Sequence, residues 1–201
     1  MVIILLWMLV FAVVHSITAD RRFKQVIINL MGERPYEGFY RLFYNALSVI
    51  MLAPLFPYMW SISETLYQVS QPIATIFRVI QLIGMIGLAV SILQIDFLRF
   101  AGLRQVIMLI NGGQLPLADE NLQTGGLYGW VRHPLYFFSL LVLWFSPSMT
   151  NASLVFNIAA TLYFVFGSLI EERSMVNAYG DIYKQYQQNV SWMIPLPPSK
   201  S

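Results

Sequence analysis

The chain has 201 residues, 57% hydrophobic and only 11% charged, with a net charge of +2 and a mean hydropathy of +0.62. That balance is far from a soluble domain's and marks an integral membrane protein. Its zero cysteines exclude disulfides, thiolate metal sites and a cysteine nucleophile. Two histidines without a His-Glu-x-x-His pattern argue against catalytic zinc, and no basic stripe exists for a nucleic acid.

The apolar runs are Val2–Val14, Leu42–Trp60, Ile73–Ile95, Leu135–Phe145 and Leu154–Ile170. A helix needs roughly 20 residues to cross the hydrocarbon, at a rise of about 1.5 Å each. Five crossings are therefore predicted, at about residues 2–19, 40–60, 73–95, 134–149 and 153–172, followed by a tail over 173–201. The first run has no basic n-region and no small-residue cleavage site, so it reads as a crossing and not as a signal peptide. Arg21, Arg22 and Lys24 follow it, and the positive-inside rule then places the N-terminus outside. In that orientation 11 of the 12 Lys and Arg residues fall on the cytoplasmic side, and only Arg78 does not. The predicted fold is all-α and polytopic, one membrane-embedded domain.

Three segments meet the inner face. The first loop, about Asp20 to Tyr40, contains the breakers Gly32, Pro35 and Gly38. The second, Asp96 to Arg132, carries Gly112-Gly113 and Gly125-Gly126, and its Asp96 and Arg99 are spaced for an i,i+3 pair. In the tail, Asn177-Ala178-Tyr179-Gly180 predicts a break, with Asp181 capping a short helix through Gln188. Tyr179, Tyr183 and Tyr186 recur along one side of it and read as headgroup-level anchors, or else as a roof over a pocket. Ile194-Pro195-Leu196-Pro197-Pro198 reads as a terminator.

The chemistry concentrates in Arg132-His133-Pro134-Leu135-Tyr136 and in Glu171-Glu172-Arg173. Charge beside lipid is costly and usually kept for function. Pro134 suits the first turn of a helix, with His133 at the cap. Folding the last two crossings back about Thr150 levels His133 with Gly167 and leaves Glu171 about 5.4 Å further out, leaning back toward the membrane. Arg132, His133, Tyr136, Glu171 and Glu172 then surround one small volume at the cytoplasmic rim. Its donors suit a carboxylate, its acids an ammonium or a hydroxyl pair, and its aromatic walls a heterocycle. S-adenosylmethionine combines all three, and its sulfonium suits electron-rich rings. The competing reading is a solvated belt of anchor charges, although acids gain nothing from a helix C-terminus.

Gly126-Leu127-Tyr128, Arg132-His133-Pro134-Leu135-Tyr136, Glu171-Glu172, Tyr179-Gly180-Asp181-Ile182-Tyr183-Lys184-Gln185-Tyr186 and Ile194-Pro195 together resemble the isoprenylcysteine carboxyl methyltransferase and phospholipid methyltransferase superfamily. Gly-Leu-Tyr stands where the commoner pattern has Gly-Pro-Tyr. His15-Ser16, Phe100-Ala101-Gly102-Leu103-Arg104-Gln105 and Ser146-Pro147-Ser148-Met149-Thr150 look similar to bacterial methanethiol S-methyltransferases and to a related denitrification-linked membrane family. The resemblance implies a bacterial inner-membrane enzyme with S-adenosylmethionine bound between the last two crossings and the tail. It also implies a small or lipophilic acceptor entering from the bilayer, with methanethiol the first choice and a prenylcysteine or lipid the second.

On this reading Tyr128, His133, Tyr136, Glu171 and Glu172 hold the cofactor, and Arg132 steers its carboxylate. Arg104 and Gln105 face the acceptor. His15 takes a thiol proton or orients the acceptor, unless it is a hydrogen-bonded interfacial residue. Two other classes stay open: a haem ligated by His15 and His133, and a non-catalytic membrane scaffold.

Overall fold

The computed structural model describes residues 1–118 and 120–196. Pro197 and Pro198 of the expected terminator, and Lys200 of the charge count, lie outside the described residues. In chain order the elements are α1 (Val2–Ala19), α2 (Arg21–Met31), α3 (Glu33–Leu52), α4 (Leu55–Ser61), β1 (Thr65–Gln68), α5 (Ile73–Leu93), α6 (Phe97–Ala101) and α7 (Leu103–Ile110). A 3-10 turn at Gly126–Gly129 precedes α8 (Pro134–Trp144), β2 (Ser148–Thr150), α9 (Asn151–Tyr179) and α10 (Asp181–Asn189).

Among the described residues, four helical stretches are long and apolar enough to cross a membrane: Val2–Ala19, Glu33–Ser61, Ile73–Leu93 and Asn151–Tyr179. The protein is an all-α polytopic membrane protein. The expected crossing at 134–149 is corrected: α8 has 11 residues, a rise of about 16 Å, roughly half the hydrocarbon thickness. The chain leaves helix after Trp144 because β2 pairs antiparallel with β1, Thr65 opposite Thr150 and Gln68 opposite Ser148. The second crossing is broken at Ala53-Pro54, between α3 and α4. Pro54 has no N–H to continue the ladder.

The chain forms two compact units. The first comprises Met1–Ser63 and Asp96–Glu120. Within it the Trp7 indole donates to the Met51 carbonyl at 2.7 Å, and the Tyr40 hydroxyl to the Thr18 carbonyl at 2.5 Å. The expected first loop is mostly helix. Asp20 caps α2 by accepting from the Arg22 N–H at 2.8 Å, and Pro35 sits in the first turn of α3, where no intrahelical donor is required. The expected Asp96–Arg99 side-chain pair is also corrected. Asp96 accepts the Arg99 backbone N–H at 3.1 Å and pairs with Arg104 at 3.1 Å, while the Arg99 guanidinium pairs with Glu120 at 3.2 Å.

The second unit comprises Glu64–Ile95 and the chain from Asn121. Gly84, Gly87 and Ser91 are buried on α5 and form the small-residue face on which membrane helices approach closely. A Cβ at Gly87 would lie 2.2 Å from Cδ1 of Phe138 on α8. At the end of α5, the Gln94 amide oxygen accepts from the Leu127 N–H at 3.0 Å and anchors the 3-10 turn. Gly126, at φ +60, allows that approach, since a Cβ there would lie 2.2 Å from Gln94 Nε2. Thr150 and Ser153 form a capping box at the start of α9. Glu171 follows Asn151 by 20 residues, a rise of about 30 Å, so Glu171 and Glu172 emerge at the far rim of the hydrocarbon.

Candidate functional site: a buried ion cluster beside an accessible carboxylate

In the second unit, the tail zips onto the segment that carries Arg132 and His133. Val131 bridges Ser191 in parallel, the Arg132 N–H donates to the Ser191 carbonyl at 2.8 Å, and the His133 N–H to the Trp192 carbonyl at 3.2 Å. Pro134 then opens α8 with His133 at the cap. The backbone of the motif is thus held from outside the hairpin, by residues about 60 positions downstream.

Glu172 is the hub. Its Oε1 accepts from Arg132 Nε at 2.8 Å, His133 Nε2 at 2.9 Å and the Tyr183 hydroxyl at 3.0 Å. Its Oε2 accepts from Arg132 Nη2 at 3.2 Å and from the Gln187 amide. A carboxylate offers about four lone-pair positions, so five donors saturate it. Arg132 is equally engaged: its Nη1 donates to the carbonyls of Gln187 at 3.0 Å and Val190 at 2.5 Å. Both side chains are about nine-tenths buried. The bidentate fork satisfies a pair that would otherwise be costly to bury.

Glu171 differs. Its side chain is 42% exposed, with the Tyr136 hydroxyl donating to Oε2 at 3.2 Å and His133 Nδ1 at 3.5 Å. The Tyr136 ring stacks between His133 and Phe164, at centroid distances of 5.5 and 5.1 Å. A carboxylate with acceptor capacity to spare therefore lies beside a three-ring wall. The Tyr186 hydroxyl donates to the Tyr128 carbonyl, which closes the 3-10 turn over the cluster. Tyr183 and Tyr186 are buried, so these two tyrosines roof a polar cluster and the headgroup-anchor reading is corrected. Gly180 is the N-cap of α10 and Asp181 its first residue, paired to Lys184 at 2.8 Å.

The electrostatics follow from these contacts. Burial alone pulls the His133 pKa down, but its hydrogen bonds to Glu171 and Glu172 and their charges outweigh that, and it lies above the ordinary 6.5. Both ring nitrogens face carboxylates, an arrangement that only the imidazolium satisfies fully. Burial, followed by the charge of Glu171, pushes Tyr128 up to about 12. Burial, followed by the charge of Glu172, also raises Tyr183, which keeps it protonated as a donor.

His133 supplies a pH dependence. A raised folded pKa adds stability that is fully present below the unfolded value near 6.5 and is lost as pH rises through the folded value. Thermal midpoints of the wild type should therefore fall as pH rises above the ordinary histidine value of about 6.5. His133→Gln should lower the midpoint overall and flatten that window; an unchanged slope would remove His133 as its source.

The structure thus brings Arg132, His133, Tyr136, Glu171 and Glu172 together with Tyr128 nearby. His15, Arg104 and Gln105 belong to the first unit. His15 Nδ1 lies 3.0 Å from the Ser48 hydroxyl, and its Nε2 bonds the Tyr44 hydroxyl. Arg104 is paired with Asp96 at 3.1 Å. Gln105 is buried, with Nε2 donating to the Arg99 carbonyl at 3.2 Å. Arg104 and Gln105 thus each have a partner within the first unit. Sequence reasoning missed Gln187, whose only signal was its place one turn beyond Tyr183 on the same helix.

A family described as "Protein of unknown function (DUF1295)" matches residues 3–190. The chain belongs to that family. It is 31% identical over 196 residues to "Methanethiol S-methyltransferase 1" of Bradyrhizobium diazoefficiens, covering 96% of this chain and 66% of that protein. It is 30% identical over 189 residues to "Methanethiol S-methyltransferase" of Mycobacterium tuberculosis, covering 94% and 75% respectively. Over 83 residues it is 35% identical to "Protein-S-isoprenylcysteine O-methyltransferase" of Schizosaccharomyces pombe, covering 40% of this chain and 35% of that protein. The chain thus spans about two-thirds to three-quarters of the length of the first two relatives. No solved structure matches the chain.

Proposed function

We propose that this DUF1295-family chain is a membrane methyltransferase that uses S-adenosylmethionine and methylates a small thiol, methanethiol to dimethyl sulfide. The observation that carries the reading is the division of labour between adjacent glutamates. Glu172 is saturated by Arg132, His133, Tyr183 and Gln187, and it holds Glu171 half-exposed beside stacked rings. Relatives at 30–31% identity over most of the chain carry the thiol methyltransferase name.

The residues fit the cofactor. Glu171 has lone pairs left after Tyr136 and His133, enough to accept from an ammonium or from ribose hydroxyls. Tyr136, with His133 and Phe164 around it, offers a π face to a heterocycle or a sulfonium. When bound, S-adenosylmethionine supplies an electrophilic methyl group on sulfur.

Methyl transfer is an in-line displacement, so alignment carries much of the rate. Glu171, Tyr136, His133 and Tyr128 are assigned to hold and orient the cofactor. Arg132 and Glu172, engaged with each other, are positioning residues that fix Glu171 and His133 and do not steer the cofactor's carboxylate. His15 is assigned to the acceptor side as an orienting group. Both its ring nitrogens are hydrogen-bonded, so taking a thiol proton requires exchanging one of those bonds. The same occupancy of both rings, in His15 and in His133, disfavours haem ligation. The chain is taken as one methyltransferase domain of a bacterial inner membrane, N-terminus outside and tail in the cytoplasm.

The test is headspace detection of dimethyl sulfide from the purified full chain with S-adenosylmethionine and methanethiol. Sustained dimethyl sulfide release above a protein-free blank is expected. Methylation of a prenylcysteine in place of methanethiol would favour the second acceptor class, for which the Schizosaccharomyces pombe relative speaks. Turnover of neither, by folded protein, would contradict the reading.

A further inference from the structure

The first unit contains a cavity of about 410 Å³, lined among others by Lys24, Tyr36, Glu37, Arg41, Arg99 and Gln105. Three cations face one acid there. Arg99 is paired with Glu120, but among the described residues neither Lys24 nor Arg41 makes an ion pair. Burial, followed by the charges of Arg41 and Arg21, pulls the Lys24 pKa down, and the nearby charges of Asp20 and Glu37 do not offset it. A second observation is independent of charge. Gln105 is 7% exposed, and its Oε1 has no hydrogen-bond partner. The amide cannot be turned to relieve this, because Nε2 already donates to the Arg99 carbonyl at 3.2 Å, an acceptor only. A buried orphan acceptor at the wall of a basic cavity calls for a ligand with an N–H or O–H donor.

The place in the fold narrows the class. Lys24 lies on α2, whose Phe23, Val26, Ile27, Leu30 and Met31 follow an i, i+3, i+4, i+7, i+8 pattern. Leu30 is 78% exposed, Val26 54% and Met31 43%, so much of this stripe lies open. α2 directly follows the apolar α1, and a helix of this kind lies in the headgroup layer. Basic pockets at that depth take phosphate headgroups.

We propose that this cavity is a binding site for a phosphate diester carrying a hydroxyl, with the phosphate between Lys24 and Arg41 and the hydroxyl donating to Gln105 Oε1. A phosphatidylglycerol headgroup has this chemistry, and so does its soluble deacylated form, glycerophosphoglycerol.

The experiment uses the delipidated full chain with defined lipids, read by native mass spectrometry. Phosphatidylglycerol should be retained over neutral phosphatidylcholine and over phosphatidylethanol, a diester without the hydroxyl. Lys24→Gln and Arg41→Gln should each weaken phosphatidylglycerol binding about 5-fold, as for the loss of one cation at a headgroup. Gln105→Leu should erase the preference over phosphatidylethanol and leave binding of phosphatidylethanol itself unchanged, a readout that a folding defect would not produce. Displacement of the lipid by millimolar glycerophosphoglycerol would support the site and name the soluble source. Its failure, with the lipid preferences intact, would support the site and name the bilayer. Equal retention of phosphatidylcholine, or binding indifferent to Lys24 and Arg41, would overturn the proposal.

Discussion

Glu171→Gln is expected to weaken S-adenosylmethionine binding by roughly 10- to 100-fold, the equivalent of losing one charge-assisted hydrogen bond of about 1.5–3 kcal/mol. Stability should change by less than about 1 kcal/mol, because the side chain is 42% exposed and its ion pair with His133, at 3.5 Å, is partly screened. The amide still accepts from the Tyr136 hydroxyl, so the ring wall stays in place. Titration calorimetry alongside thermal unfolding separates the two effects. Loss of folded protein in step with loss of binding would mean that Glu171 is structural.

Glu172→Ala should do the opposite. Removing the hub leaves Arg132 and His133 buried without a counter-charge, and leaves the Tyr183 and Gln187 donors without their acceptor. Breaking one partner of a buried pair costs about 3–5 kcal/mol, a large share of a typical domain's stability. The expected result is a sharply lower thermal midpoint, with cofactor binding lost only as a consequence. Arg132→Leu combined with Glu172→Leu should recover part of the midpoint, since an apolar pair removes the unpaired charge. A near-wild-type midpoint for Glu172→Ala would show that the network is peripheral.

These opposite roles for neighbouring residues mark the limit of what the sequence discloses. Two consecutive positions on a helix point about 100° apart, so Glu171 and Glu172 cannot both take the buried direction. The sequence does not say which does, because the choice depends on how α8 and α9 rotate against each other. The meeting of His133, Tyr136 and the glutamates was legible, since a turn near Thr150 and a helical rise of 1.5 Å set the levels of the two strands of the hairpin. The hold of the tail on the motif was not. The bonds from Arg132 and His133 to Ser191 and Trp192 run through backbone atoms, which leave no trace in side-chain identity.

The helices show the same division. α1, α5 and α9 lie close to the apolar runs that predict them, because length and hydropathy are local properties. The shortening of α8 and the pairing of Thr65–Gln68 with Ser148–Thr150 are long-range events. The four residues of β1 are too few to show an alternation. α2 was obscured by Gly32, Pro35 and Gly38: only Gly32 ends a helix, and the other two lie within α3.

The most direct measurement is calorimetric titration of S-adenosylmethionine into the purified full chain, with Glu171→Gln run beside it. Saturable binding to the wild type, lost or strongly weakened in a variant that unfolds at the same temperature, is the predicted result. A folded wild type that takes up no S-adenosylmethionine, or a Glu171→Gln variant that binds it equally well, would contradict the account.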